Sequence, residues 1–195
     1  MIQGLILAAG KSSRFGSDKL QLKLNGDQAM VAKIARSMKS ILPETVTVLS
    51  KDNAKTSTDL ALEGNHVAFS EHSYQGFNHT VADAISMTRH AKGWILAMGD
   101  MPFVKPETIQ MLARALELGA HIAVPSCHDR PGYPVAFSSR YRQRLMSLDG
   151  ENGLTELLEH EAAKITKVAV NDPGILFDID QPEDLQVAEK FFINS

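Results

Sequence analysis

Short apolar runs and amphipathic helical stripes take turns along almost the whole chain, and this alternation restricts the fold more than any other feature. Ile2–Leu7 is a first apolar run. Met30, Val31, Ile34, Ala35, Met38, Ile41 and Leu42 then recur at helical spacing, with Pro43 as a stop signal. Val46–Leu49 and His66–Phe69 are strand-like, and Val81, Ala84, Ile85 and Thr88 mark a second helix. Trp94–Met98 is continuously apolar, as a central parallel strand buried on both faces would be. Pro106 precedes a third stripe of Ile109, Leu112, Ala113 and Leu116. Ile122–Val124 and Tyr133–Phe137 read as strands joined by a polar loop. Leu154, Leu157 and Leu158 suggest a short helix. Ile165–Val170 and Ile175–Ile179 complete the strand pattern, and a last helix is expected from Pro182 to Phe192. Alternation of this kind predicts an α/β fold: a three-layer, Rossmann-like, mostly parallel sheet with helices on both faces. No repeat or long linker divides the sequence, so residues 1–195 are expected to form a single domain.

Bulk properties narrow the function classes. A chain of 195 residues, 44% hydrophobic and 22% charged, has enough material for one sizeable core. A formal charge of −3 gives no support for broad nucleic-acid binding. No apolar stretch is long enough to span a bilayer, and Ile2–Leu7 reads as a strand rather than the core of a signal peptide. With Cys127 as the single cysteine, an internal disulfide framework and a cysteine-based zinc site are excluded, and cytoplasmic residence is expected.

The segment from Leu5 to Lys19 carries the first chemical signal. An apolar run breaks into small residues at Ala8, Ala9 and Gly10, then supplies Lys11, Arg14 and Lys19 among serines and glycines. This reads as a buried strand leaving the sheet at its carboxyl end, where α/β proteins bind ligands. Small side chains let a ligand approach the backbone, and free N–H groups with nearby cations suit phosphates. A P-loop needs four residues between its glycines, whereas Gly4 and Gly10 enclose five, all of them strand residues. The dinucleotide fingerprint is absent as well. A strand followed by a solvated polar turn fits the same residues.

Two acidic segments follow. Asp100, in Gly99-Asp100-Met101-Pro102, would stand at the carboxyl end of the Trp94–Met98 strand, where a carboxylate can hold Mg²⁺; a plain turn aspartate before proline fits equally. In Phe177-Asp178-Ile179-Asp180, alternation puts Asp178 and Asp180 on one side of an extended segment, where like charges need a cation or water between them. Glu183 and Asp184 suit a first helical turn, and Asp180 suits a cap. A metal site built from Asp100 and Asp180 requires the two to meet in space.

Leu7-Ala8-Ala9-Gly10 with Arg14, Gly16 and Lys19, then Gly99-Asp100-Met101-Pro102, then Asp178 to Asp184 together resemble the MobA-like nucleotidyltransferases, most closely their molybdenum cofactor cytidylyltransferase branch. The resemblance runs from Ile2 to about Phe191. It implies a nucleotide-diphospho-sugar transferase type of sheet that binds a nucleoside triphosphate and Mg²⁺. It assigns the backbone around Leu7, Ala8, Ala9 and Gly10 to the base and ribose, Arg14 and Lys19 to the triphosphate, and Asp100 and Asp180 to the metal, with Asp178 in support. Gln75–Val81 replaces a Gly-rich turn of the cytidylyltransferases. Ala9 before Gly10, and the lack of a Gly-Pro-Leu segment, favour cytidine over guanosine. Within that turn, Asn78 and Thr80 suit helix caps or contacts to a base. Pro131, Gly132 and Tyr133 resemble the family's acceptor-side Pro-Gly-His-Pro segment, with Tyr133 in place of histidine.

The implied reaction transfers CMP from CTP to the terminal phosphate of a molybdopterin-type acceptor, with a molybdoenzyme or its chaperone as a further partner and neither nucleic acid nor membrane involved. The alternatives are the same chemistry with GTP or another phosphorylated acceptor, and a non-catalytic nucleotide-binding accessory protein.

Overall fold

In the first strand, β1 (Ile2–Ala8), Leu5 and Leu7 belong to one buried cluster and Ile6 and Ala8 to another. Side chains alternate along a strand, so one strand feeds two cores when both faces of its sheet are covered. The computed structural model describes residues 1–10, 19–24, 28–150, 152–188, 190 and 192. After β1 come β2 (Lys23–Leu24), β3 (Gln28–Ala29), α1 (Met30–Ile41), β4 (Val46–Leu49), α2 (Ala54–Leu62), β5 (His66–Phe69) and α3 (Phe77–Met87). The chain continues with β6 (Gly93–Met98), α4 (Pro106–Glu117), β7 (Ile122–Cys127), β8 (Arg130–Pro131), β9 (Val135–Ser138), α5 (Arg142–Met146), α6 (Gly153–His160), β10 (Ile165–Ala169) and α7 (Pro182–Ala188).

The main sheet runs in the order β10-β7-β9-β6-β1-β4-β5, and β8 adds to β7. It is mostly parallel; β9 runs antiparallel between β6 and β7. Val31, Ile34 and Met38 of α1, Leu60 of α2, and Ile109 and Leu112 of α4 cover one face with Ile6 and Ile95. Val81 and Ile85 of α3, Leu145 of α5, and Leu154 and Leu157 of α6 cover the other with Leu5, Leu7 and Leu96. Trp94 is wholly buried on that second face, and its indole N–H is satisfied by donating to Thr88 Oγ1 at 2.9 Å. Among the described residues no helix is long and apolar enough to cross a membrane.

One expected strand is absent. Ile175–Ile179 does not join the sheet: Asp172 accepts a hydrogen bond from Gly174 N at 3.0 Å and turns Pro173–Leu176 into a short 3-10 helix. The remainder runs extended, with Ile179 N donating to Asp100 O at 3.0 Å. The burial of Ile175 and Ile179 imitates a sheet strand, but Ile179 packs into a separate apolar cluster with Phe103 instead. The loop expected between the Ile122–Val124 and Tyr133–Phe137 strands is partly sheet as well. β7 continues to Cys127 and turns through His128 (φ 50°) and Asp129 (φ 61°) into β8, as a two-residue hairpin with both central residues left-handed.

Candidate active site

β1 and β6 are parallel neighbours in register from Ile2↔Gly93 to Leu7↔Met98, so their carboxyl ends finish side by side. Gly99 N donates to Leu7 O at 3.0 Å just beyond them. A Cβ on Gly99 would lie 2.6 Å from Ala8 Cβ, so the small residues at both strand ends are what allow this close approach. Asp100 follows directly.

A third apolar cluster brings the distant acidic segment to Asp100. Phe103 stacks on Phe192 with ring centroids 4.4 Å apart and meets Phe177 at 5.9 Å, while Ile179 is fully buried in the same cluster. With Phe177 and Ile179 turned into that cluster, Asp178 and Asp180 fall on the other side of the extended segment. Both line a cavity of about 450 Å³ that also takes in Asp100.

Lys19 joins the two acidic segments. Its Nζ lies 2.8 Å from Asp100 Oδ2 and 2.7 Å from Asp180 Oδ1, and it donates to Ile179 O at 3.2 Å. Burial pulls the Lys19 pKa down, but the hydrogen bonds and charges of Asp100 and Asp180 outweigh it and hold the ammonium above its ordinary value. Asp178 moves up from the usual carboxylate range, through burial first and through the charges of Asp180, Asp100 and Asp184. Asp184 has a structural part: its Oδ2 accepts from Asp180 N at 2.8 Å and Gln181 N at 2.9 Å, reaching back over the start of α7 like the acidic half of a capping box.

Two cavities meet at Asp100. The first, about 380 Å³, is lined by Leu7, Ala8, Ala9, Gly10, Lys19 and Thr80, by the stretch from Ser73 to Phe77, and by Met98 and Asp100. The second holds Pro131, Gly132 and Tyr133 with Asp178 and Asp180, and shares Met98 and Asp100 with the first. Gly132 is there for packing: a Cβ would fall 2.1 Å from Ile175 O, the acceptor of the Tyr133 N–H at 3.0 Å. Burial pushes the Tyr133 phenol pKa up, so it remains a neutral donor. A larger groove of about 920 Å³ lies between the ends of α1, α4 and β10, and none of these residues lines it.

The donor set fits a hard divalent cation. Asp100 Oδ1 is buried and has no hydrogen-bond partner among the described residues, and its cavity neighbours Asp178 and Asp180 offer further oxygens. Among the described residues no group of three acidic, histidine or cysteine side chains is close enough to hold a metal alone.

Arg14 lies outside the described residues. Asn78 is not brought to the cavity: its Nδ2 donates to Gly150 O at 2.7 Å and its Oδ1 accepts from Leu154 N at 3.1 Å. It caps α6, a distant helix, because its own helix begins beside the turn that precedes α6; both ends of its amide are engaged there. Tyr74 and Met98 line the cavities without having been singled out in the sequence. The position of Tyr74 directly before Gln75-Gly76 was the available signal.

A model of the MobA-like NTP transferase domain matches residues 4–165. The chain belongs to this family. A probable molybdenum cofactor guanylyltransferase of Natranaerobius thermophilus is 29% identical, over 97% of this chain and 96% of the relative. Among solved structures, molybdopterin-guanine dinucleotide biosynthesis protein A from Archaeoglobus fulgidus has a TM-score of 0.72 at 21% identity, covering 99% of this chain and 100% of the other. The Mycobacterium tuberculosis H37Rv protein Rv0371C, in complex with manganese, has a TM-score of 0.75 at 23% identity, covering 97% and 98%. At these identities the two structures establish a shared fold, that of the nucleotide-diphospho-sugar transferases.

Proposed function

We propose that this MobA-like enzyme, acting as one domain over residues 1–195, transfers CMP from CTP to the terminal phosphate of a molybdopterin-type acceptor. The observation that carries the reading is the junction of two cavities at Asp100, with Lys19 and Asp180 in direct contact there. An acceptor phosphate oxygen attacks the α-phosphorus of the triphosphate in line. The bond from that phosphorus to the bridging oxygen breaks, and pyrophosphate leaves. The acceptor is already anionic, so the protein supplies position and charge rather than a strong base.

The nucleotide enters the cavity floored by Leu7, Ala8, Ala9 and Gly10, and the acceptor enters the one beside Pro131, Gly132 and Tyr133. Lys19 and, by resemblance, Arg14 offset charge on the departing pyrophosphate. Asp100 and Asp180, with Asp178 in support, would hold Mg²⁺, which supplies charge neutralisation at the phosphate oxygens when bound. A molybdoenzyme or its chaperone would take the product.

The choice of CTP rests on Ala9 before Gly10 and on the Gln75–Val81 turn. A second reading, GTP, is favoured by the guanylyltransferase name of the Natranaerobius thermophilus relative. Pyrophosphate release from CTP, GTP, ATP and UTP, with Mg²⁺ and molybdenum-loaded molybdopterin, separates them. Release confined to CTP is the expected result, release with GTP reassigns the base, and no release with any triphosphate contradicts the transfer reading.

A further inference from the structure

Tyr74 lines the nucleotide-side cavity, yet 69% of it is exposed. A lone exposed aromatic is ordinary on a protein surface; an exposed ring on the wall of a cavity floored by Ala8, Ala9 and Gly10 is a platform for a flat ligand. Gln75 Nε2 donates to Tyr74 Oη at 2.9 Å, which ties the hydroxyl while the ring stays open.

The wall is fixed from behind by Asp83 on α3. Its Oδ2 accepts from Ser70 Oγ at 2.6 Å and from His72 N at 2.9 Å, and its Oδ1 lies 2.9 Å from His72 Nδ1. Ser70 N is anchored on Leu49 O at 2.9 Å, and Gln75 N donates to His72 O at 2.9 Å. One carboxylate therefore secures the connection from the end of β5 to the Tyr74 turn. Burial pushes the Asp83 pKa up, but the hydrogen bonds from Ser70 and His72 outweigh it and the net shift is downward, so this anchor stays ionised.

We infer that Tyr74 stacks on the base of the bound nucleotide and that Asp83, which does not line the cavity, is the positioning residue that holds it there. The inference rests on the nucleotide reading above and extends it to two side chains outside the resemblance. Stacking acts on the base and not on the phosphates, which makes it separable by experiment. The full chain with Mg²⁺ is titrated with CTP, with GTP and, in parallel, with inorganic tripolyphosphate. Tyr74→Ala is expected to weaken nucleotide binding about tenfold, in the range of base–aromatic stacking, and to leave tripolyphosphate binding within about twofold; Tyr74→Phe behaves as the wild type. Asp83→Asn is expected to weaken nucleotide binding severalfold with the same tripolyphosphate control. His72→Ala, at an exposed position, moves nucleotide binding in the same direction even if Asp83→Asn does not fold. Unchanged nucleotide affinity in Tyr74→Ala, or an equal loss for tripolyphosphate, overturns the stacking role. Wild-type protein that binds tripolyphosphate but neither nucleotide contradicts the nucleotide reading itself, and the stacking inference falls with it.

Discussion

Asp100→Asn is expected to reduce pyrophosphate release on the order of 10³-fold while leaving the thermal transition nearly unmoved. The size follows from losing a charged ligand where several kcal/mol of phosphate charge must be neutralised, at 1.36 kcal/mol for each factor of ten. The fold should tolerate the change because the structural work of this position is done by its backbone: Asp100 O accepts from Ile179 N at 3.0 Å, which asparagine preserves. The amide oxygen can also keep the contact to Lys19. What disappears is the anionic Oδ1, buried and without a partner among the described residues. Steady-state pyrophosphate release and a thermal melt of the same preparation check this. A folded variant with wild-type turnover would remove Asp100 from the metal assignment.

Lys19→Met is expected to lower turnover about a hundredfold, as loss of one oriented charge does at comparable sites. It should also tighten Mn²⁺ binding to the nucleotide-free protein by about tenfold, a gain that loss of a purely structural contact would not give. The Lys19 ammonium lies 2.8 Å from Asp100 Oδ2 and 2.7 Å from Asp180 Oδ1, so it competes by charge with a cation drawn to the same two carboxylates. Methionine keeps the length of the side chain and removes the competing charge. On this account Lys19 moves from the carboxylates to the phosphates when nucleotide and metal arrive together. Electron paramagnetic resonance of free Mn²⁺ measures the affinity without reference to turnover. Weaker Mn²⁺ binding in Lys19→Met would mean that Lys19 assists the metal site and does not compete for it.

Much of this arrangement is legible in the sequence, and the exceptions have physical reasons. β6 is a continuous apolar run, and β1 is one from Gly4 onward, because they lie between two helical layers, and the small residues at their ends mark where a ligand can approach. Phe177-Asp178-Ile179-Asp180 reads correctly as an extended segment with its acids on one side. That the segment stays outside the sheet was not readable, because Ile175 and Ile179 are as buried against the site as they would be in a strand. α2 was missed because Thr56 and Leu60 are its only buried residues, too few to make a stripe. α5, at five residues, is too short to show a period. Asn78 reads as a cap or a base contact, and that the helix it caps is α6 is not legible because its partners, Gly150 and Leu154, lie more than 70 residues away in the chain. Sequence motifs located Asp100, Lys19 and Asp180 singly; their contact depends on the Phe103–Phe177–Phe192 cluster, which no local pattern announces.

The most direct test of nucleotidyl transfer follows the phosphorus. CTP labelled at the α-phosphate, or at the γ-phosphate, is incubated with the protein, Mg²⁺ and molybdenum-loaded molybdopterin, and the products are separated. The account predicts α-label in the pterin product and γ-label in pyrophosphate. Label from the γ-phosphate on the pterin, or α-label recovered only as free CMP, would contradict it.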